Sequence, residues 1–373
     1  MPRKKKIMRA KAPACGPVCL ADFEPLAKEK MSPMAWEYLS AGVADEITLR
    51  ENITALQRIR LKPRVMVDVS RIDTRVELLG QERAFPILLA PTASQKMMHS
   101  EGELGTARGG AAAGATMVLS SLSNFSLEQV AKAAHSEAKT DLWFQLYVQR
   151  DRELTRELVQ RAERAGYRAL VLTVDLPVLG ARNREARACV KMPPLVHLKE
   201  QEQAAHGSYL PGDRDIYSPV LDPSLNWKNL EWLLGLSKLP VVVKGVLNPD
   251  DAELAVKAGA SGVIVSNHGG RNLDTLPATI DALPLVAERV RSLANLVPVL
   301  MDGGIRRGTD VLKALALGAS AVLVGRPYVW GLAVEGASGV EKVVNILRRE
   351  LEMAMALTGR PNIASIDRSL IWP

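Results

Sequence analysis

The stretch Gly262-Val263-Ile264-Val265-Ser266-Asn267-His268-Gly269-Gly270-Arg271 decides how this chain folds. Gly262–Val265 reads as a short buried strand, and the residues after it are polar and glycine-rich: an imidazole, two backbone-permissive glycines and a guanidinium. At the C-terminal end of a strand, such residues stand where parallel α/β architectures gather their catalytic groups. Gly269 and Gly270 let the backbone approach a flat ligand, His268 offers a proton acceptor, and Arg271 offers a bidentate clamp for a carboxylate.

The same pattern recurs outward from this stretch. From Phe85 onward, short apolar runs alternate with amphipathic helical stretches, and nearly every run ends in polar residues or glycine. The runs at 86–90, 116–119, 143–148, 169–174, 240–244, 262–265, 298–301 and 321–324 predict about eight parallel strands, the number that closes a (β/α)8 TIM barrel. Helices are expected between them at 101–113, 153–165, 249–258 and 309–317, with Gly114, Gly166, Gly259 and Gly318 each ending one. Two regions depart from the alternation. Residues 20–84 read as an N-terminal helical extension with a small antiparallel element; residues 190–230 lose all periodicity and read as a long lid loop over the barrel mouth.

Composition excludes several classes. With 373 residues, 47% of them hydrophobic, the chain can bury a large core. Its formal charge of +7 is concentrated in Arg3, Lys4, Lys5, Lys6, Arg9 and Lys11, so residues 1–19 read as a basic disordered tail ahead of one domain over 20–373. No aromatics interleave with that run to stack on bases, so no nucleic-acid partner is expected. No apolar run approaches the roughly 18 residues of a membrane span, and no hydrophobic signal core follows the basic residues, so a cytoplasmic location is expected. Cys15, Cys19 and Cys189 are too few for a disulfide framework and lack a second ligand pair for zinc, so no metal site is expected.

If the barrel is right, residues at the strand ends should make one chemically coherent set. In chain order they are Thr92 with Ala93, Ser120 with Ser121, Gln145 with Tyr147, Thr173 with Asp175, Lys244, Ser266 with His268 and Arg271, Asp302-Gly303-Gly304, and Gly325-Arg326. They combine small groups for a flat ring, hydroxyls and amides for its polar edge, one base and several cations. The ends of the seventh and eighth strands form the usual barrel phosphate site, where Gly303, Gly304 and Gly325 offer backbone N–H groups and Arg306 or Arg326 neutralises the dianion. Asp175 could orient the His268 imidazole, and Lys244, emerging from a buried run, needs an anionic partner.

Pro91-Thr92-Ala93-Ser94-Gln95-Lys96-Met97, Phe144-Gln145-Leu146-Tyr147-Val148, Leu172-Thr173-Val174-Asp175 and the stretch through Arg271 together resemble the motifs of the FMN-dependent α-hydroxy-acid oxidase and dehydrogenase family, over roughly residues 20–360. Glycolate oxidase, lactate oxidase and mandelate dehydrogenase are members. The resemblance implies non-covalently bound FMN, with Lys244 at the N1–C2 carbonyl edge. It implies that Thr92, Ala93, Ser94, Ser120, Gln145, Thr173 and Ser266 hold the ring, and Asp302, Gly303, Gly304, Arg306, Gly325 and Arg326 the ribityl phosphate. His268 takes the base role with Asp175 as its partner, Arg271 and Arg182 bind the substrate carboxylate, and Tyr38 and Tyr147 are the active-site tyrosines. A homotetramer or homo-octamer is implied as well.

The chain departs from the family pattern at Leu122, where glycolate oxidases carry tryptophan; a smaller side chain there predicts a substrate larger than glycolate. Ala93, near the flavin, favours O2 as acceptor and H2O2 as product, with a quinone- or cytochrome-linked dehydrogenase as the alternative. A different FMN barrel, of the isopentenyl-diphosphate isomerase kind, would need diphosphate contacts. The expectation is oxidation of an L-2-hydroxy acid to the 2-oxo acid.

Overall fold

The computed structural model describes residues 16–138, 140–198, 216–218 and 221–373. Most of the basic tail, Cys15 and much of the expected lid lie outside the described residues.

The chain begins with three helices, Leu20–Lys30, Pro33–Ser40 and Ile47–Arg58, followed by the antiparallel hairpin β1 (Val76–Leu78) and β2 (Gln81–Arg83). Eight parallel strands then close into a barrel: β3 (Ile87–Leu89), β4 (Met117–Ser120), β5 (Leu142–Leu146), β6 (Ala169–Thr173), β7 (Val241–Val246), β8 (Gly262–Val265), β9 (Val299–Met301) and β10 (Ala321–Val324), with β10 pairing β3 and β9. All eight expected strands are present, with ends shifted by two residues or fewer. Helices at Gly102–Ala113, Arg152–Arg164, Pro249–Lys257 and Gly308–Ala316 stand where periodicity placed them, and the glycine after each has positive φ. Ser126, Asp151 and Asn248 cap helices through side-chain oxygens that accept backbone N–H groups. The last helix, Arg326–Leu357, is broken at Glu335 and Gly336, where φ is −141° and 60°. None of the helices is long and apolar enough to cross a membrane, among the described residues.

Side chains alternate along each strand, and the alternation separates two apolar layers. Ile87, Leu89, Val263 and Val265 belong to the layer that packs against the helices. Leu88, Val118, Trp143, Val171, Val242, Ile264, Leu300 and Leu323 fill the barrel interior, joined by Leu78 of the hairpin, which plugs one end.

Candidate active site

Two residues beyond each interior apolar side chain, one pleat toward the C-terminal ends, stand Ala90, Ser120, Gln145, Thr173, Lys244, Ser266, Asp302 and Gly325. The barrel filling thus turns from apolar to polar within a single layer, which makes a floor for the site. Ser120 Oγ donates to Gln145 Oε1 at 3.2 Å and Gln145 Nε2 donates to Thr173 Oγ1 at 3.1 Å, so the amide is fixed in one orientation. Lys244 Nζ donates to Ser266 Oγ at 2.9 Å and lies 3.2 Å from Asp302 Oδ2. Burial works against the Lys244 charge, but Asp302 and Asp175 outweigh it and hold its pKa above the usual lysine value.

His268, Gly269 and Gly270 all have φ between 56° and 74°, so three successive left-handed residues turn the chain back over the mouth. That turn sets His268 Nδ1 at 2.9 Å from Asp175 Oδ1. A carboxylate only accepts, so Nδ1 carries the hydrogen and Nε2 is left as the basic nitrogen. Burial pushes the His268 pKa below the ordinary imidazole value, and Asp175 opposes this. Burial would raise Asp175, but the charges of His268 and Lys244 hold its carboxyl below the usual range. Gly245 makes the pair possible: β7 bulges there with φ 106°, and a Cβ would come within 2.6 Å of the Asp175 side chain. Asn272 Nδ2 donates to the Asp175 carbonyl at 2.7 Å, closing the cluster.

Beside this pair sit two arginines from different loops. Arg271 NH1 donates to the carbonyls of Tyr38 and Ala41 at 2.7 and 3.0 Å, and its guanidinium lies 5.1 Å from the Tyr38 ring centre. Arg182 comes from the loop after β6, whose Gly180 packs against Asn272 so closely that a Cβ would lie 2.0 Å from that carbonyl oxygen. Burial and the Arg271 charge lower the Arg182 pKa. Between the two guanidiniums stands Glu185, on the short helix Asn183–Arg187: Oε1 is 2.9 Å from Arg271 NH2 and Oε2 is 3.7 Å from Arg182 NH1.

At the far end Gly303, Gly304, Gly325, Arg306 and Arg326 line the same cavity. Gly304 admits no side chain, since a Cβ would stand 1.9 Å from the Asn52 carbonyl oxygen. Arg326 donates to the carbonyls of Leu39, Gly269 and Ala41, and Arg306 donates to that of Ile305 and covers the Trp330 ring. Neither guanidinium pairs with a carboxylate among the described residues. Burial and the charges of Arg271 and Arg306 push the Arg326 pKa down to about 9. Two half-buried cations beside backbone N–H groups at the start of the last helix leave a place for a phosphate-type anion. Asp302 Oδ1, buried without a partner, adds an acceptor for a hydroxyl.

The remaining wall is apolar and includes Ala93, Leu122, Leu176, Leu179, Val190 and Met192. Behind Leu122, the near limb of the expected lid is fastened down. His197 Nδ1 donates to the Ser121 carbonyl at 3.1 Å, Nε2 accepts the Leu127 N–H at 3.2 Å, and Leu195 and Leu198 pack with Leu122 and Tyr147.

The cavity measures about 390 Å3. Of the residues expected at the site, Tyr38, Thr92, Ala93, Ser120, Leu122, Gln145, Tyr147, Thr173, Arg182, Lys244, His268, Arg271, Asp302, Gly303, Gly304, Arg306, Gly325 and Arg326 line it. Asp175 and Ser266 stand just behind, holding His268 and Lys244. Ser94, fully buried with φ 54°, is set back from the wall, and its N–H donates to the Leu122 carbonyl. Sequence reasoning missed Glu185, Asn272 and His197. Glu185 carried one readable signal, an acidic residue one helical turn after Arg182.

Residues 27–373 match the family described as FMN-dependent dehydrogenase. The chain is 49% identical to L-lactate oxidase from Nostoc sp., covering 95% of this chain and 98% of that protein. It is 47% identical to 2-hydroxyacid oxidase from Dictyostelium discoideum, over 95% and 90% of the two chains. The crystal structure of mandelate oxidase with (S)-4-hydroxymandelic acid superposes with a TM-score of 0.87 at 38% identity, over 95% of this chain and 98% of that one.

Proposed function

The chain belongs to the FMN-dependent dehydrogenase family and oxidises a 2-hydroxy acid to the 2-oxo acid with FMN, and from that premise we propose an L-2-hydroxy acid larger than glycolate as substrate and O2 as the final acceptor, giving H2O2. The residues fit the cofactor. The fixed row Ser120, Gln145 and Thr173 with cationic Lys244 suits the polar edge of a flat ring, Asp302 Oδ1 suits a ribityl hydroxyl, and Arg306 and Arg326 with Gly303, Gly304 and Gly325 suit its phosphate. Thr92 and Ala93 would lie against the ring, and Ser94 and Ser266 would act from behind, Ser266 by placing Lys244. When bound there, FMN would supply the two-electron acceptor that the oxidation needs.

The observation that carries the catalytic reading is the Asp175–His268 pair in one cavity with Arg271 and Arg182. Arg271, Arg182 and Tyr38 hold the substrate carboxylate, and Tyr147 completes the wall on the reacting side. His268 Nε2 accepts the proton that leaves the substrate, and Asp175 stabilises the resulting imidazolium. The apolar wall at Leu122, Leu176 and Met192 receives the substrate side chain, and the 190–230 segment serves as lid. Oxidase rather than dehydrogenase chemistry is supported by the relatives named as oxidases.

The two described cysteines, Cys19 and Cys189, are unpaired, which supports a reducing, cytoplasmic compartment. A homotetramer or homo-octamer is supported by the exposed apolar side chains Val65, Met66, Leu357 and Trp372, which lie on or beside the segments where residues 60–64 pair with the C-terminal residues. Parallel measurement of O2 consumed, H2O2 formed and 2-oxo acid formed tests the acceptor. Equal amounts of all three are expected; 2-oxo acid formed without O2 uptake, and only with an added quinone or cytochrome, would overturn the oxidase reading.

A further inference from the structure

Among the described residues, a carboxylate of the protein itself is set between the two substrate-side guanidiniums. Glu185 meets Arg271 at 2.9 Å and Arg182 at 3.7 Å, and all three side chains line the cavity and are less than one-fifth exposed. We propose that Glu185 is a displaceable counter-ion that fills the anion place of the substrate-free site and competes there with the carboxylate of substrate and product. The inference rests on the reading that Arg271 and Arg182 bind that carboxylate.

Electrostatics gives the reason for such a residue. Two half-buried guanidiniums on one cavity wall repel, burial first and the Arg271 charge second lower the Arg182 pKa, and an internal carboxylate neutralises one of the two charges when no ligand is present. The same carboxylate opposes the binding of a second anion. It therefore limits affinity for the 2-oxo acid product, whose carboxylate is the group it shares with the substrate, and so favours product release.

The geometry suits displacement rather than fixed bracing. The backbone of the Asn183–Arg187 helix is held independently: Arg184 is tied to Glu37 at 2.6 Å, Glu46 at 3.0 Å and Ser40 at 2.9 Å. Arg271 keeps its place without Glu185, through the carbonyls of Tyr38 and Ala41. Only the Glu185 side chain has to turn, and its unequal grip, close on Arg271 and long on Arg182, leaves Arg182 the freer of the two to take an incoming carboxylate.

The test uses FMN-loaded protein and isothermal titration calorimetry with two probes of similar shape, pyruvate and its neutral amide pyruvamide. For Glu185→Gln we expect the Kd of pyruvate to fall about tenfold while that of pyruvamide stays within about twofold, and KM for the hydroxy acid to fall with the pyruvate Kd. Glu185→Asp, whose shorter side chain reaches the arginines less closely, should move the pyruvate Kd in the same direction by a smaller factor, and it serves if the glutamine variant fails to fold. An unchanged or raised Kd for pyruvate, or equal changes for both probes, would overturn the proposal and make Glu185 a fixed structural brace. Arg271→Lys separates the two readings. If it weakens pyruvate while the Glu185 variants do not tighten it, the counter-ion role alone falls; if it leaves pyruvate binding unchanged, the carboxylate site falls as well.

Discussion

Asp175 and His268, 93 residues apart in the chain, meet at 2.9 Å between Oδ1 and Nδ1 because a glycine bulge in β7 leaves room for the carboxylate and three left-handed residues after β8 swing the imidazole toward it. The contact fixes the tautomer and leaves Nε2 basic, with a pKa held below the ordinary imidazole value by burial.

Asp175→Asn should therefore slow flavin reduction by about a hundred- to ten-thousand-fold, as expected when a base loses the group that orients it and stabilises its cation. The sign of the pH effect is set by the charges. Asp175 raises the His268 pKa, so its removal lowers that pKa further and moves the acid limb of the rate to lower pH. Single-turnover reduction measured from pH 5 to 9 checks both. A variant with the wild-type rate and an unmoved limb would separate Asp175 from the base.

Leu122 belongs to the apolar wall beside Ala93, Leu176 and Leu179. Leu122→Trp should shift preference toward the smallest hydroxy acids by about ten- to two-hundredfold in relative kcat/KM, the range associated with one methylene in a pocket. A size series from glycolate to 2-hydroxyoctanoate measures this, and unchanged ratios would count against the placement of the side chain.

Arg306 has no carboxylate partner among the described residues and lies over the Trp330 ring, 5.0 Å from its centre. Arg306→Met keeps the apolar contact and removes the charge. The Kd of FMN should rise about ten- to a hundredfold, as loss of one charge-assisted hydrogen bond implies. Riboflavin, which has no phosphate, should bind the two proteins alike. Fluorescence quenching on the apoprotein distinguishes the outcomes, and an equal loss for both flavins would argue against a phosphate contact.

His197 makes both of its hydrogen bonds in the neutral form, and burial lowers its pKa from 6.5 to about 4. Because the unfolded chain binds the proton more readily, the stability this group supplies is complete above about pH 6.5 and is lost as pH falls toward 4, by about 3 kcal/mol for a shift of this size. His197→Gln should lower Tm at pH 7 yet reduce the further drop in Tm between pH 7 and pH 5. A parallel drop in both proteins would remove His197 as the source of acid sensitivity.

The barrel was legible because each strand is a short apolar run stopped by polar residues or glycine, so strand ends and site residues were found together. The interior switch from Val118 to Ser120, Trp143 to Gln145 and Val242 to Lys244 is written in the sequence with period two. The partners that hold those residues were harder to see. Glu185 lies 86 residues from Arg271 on a five-residue helix too short to show a periodic pattern, and the pairing depends on Gly180, which lets the loop after β6 pack on Asn272. His197 looked like one more polar residue of a loop, and its role depends on Ser121 and Leu127, more than 60 positions away. Ser266 stands in the same interior layer as Lys244, and the bond by which its hydroxyl accepts from Lys244 Nζ joins residues 22 positions apart on neighbouring strands, which no local pattern shows.

The most direct test mixes the purified protein anaerobically with L-2-hydroxy acids from glycolate to mandelate and 2-hydroxyoctanoate, follows the visible flavin bands in stopped flow, and then admits O2. Bleaching should be faster with the larger acids than with glycolate, and the yellow bands should return rapidly on mixing with air. Flavin-loaded protein that none of these acids bleaches would contradict the assignment of this chain as a 2-hydroxy-acid oxidase.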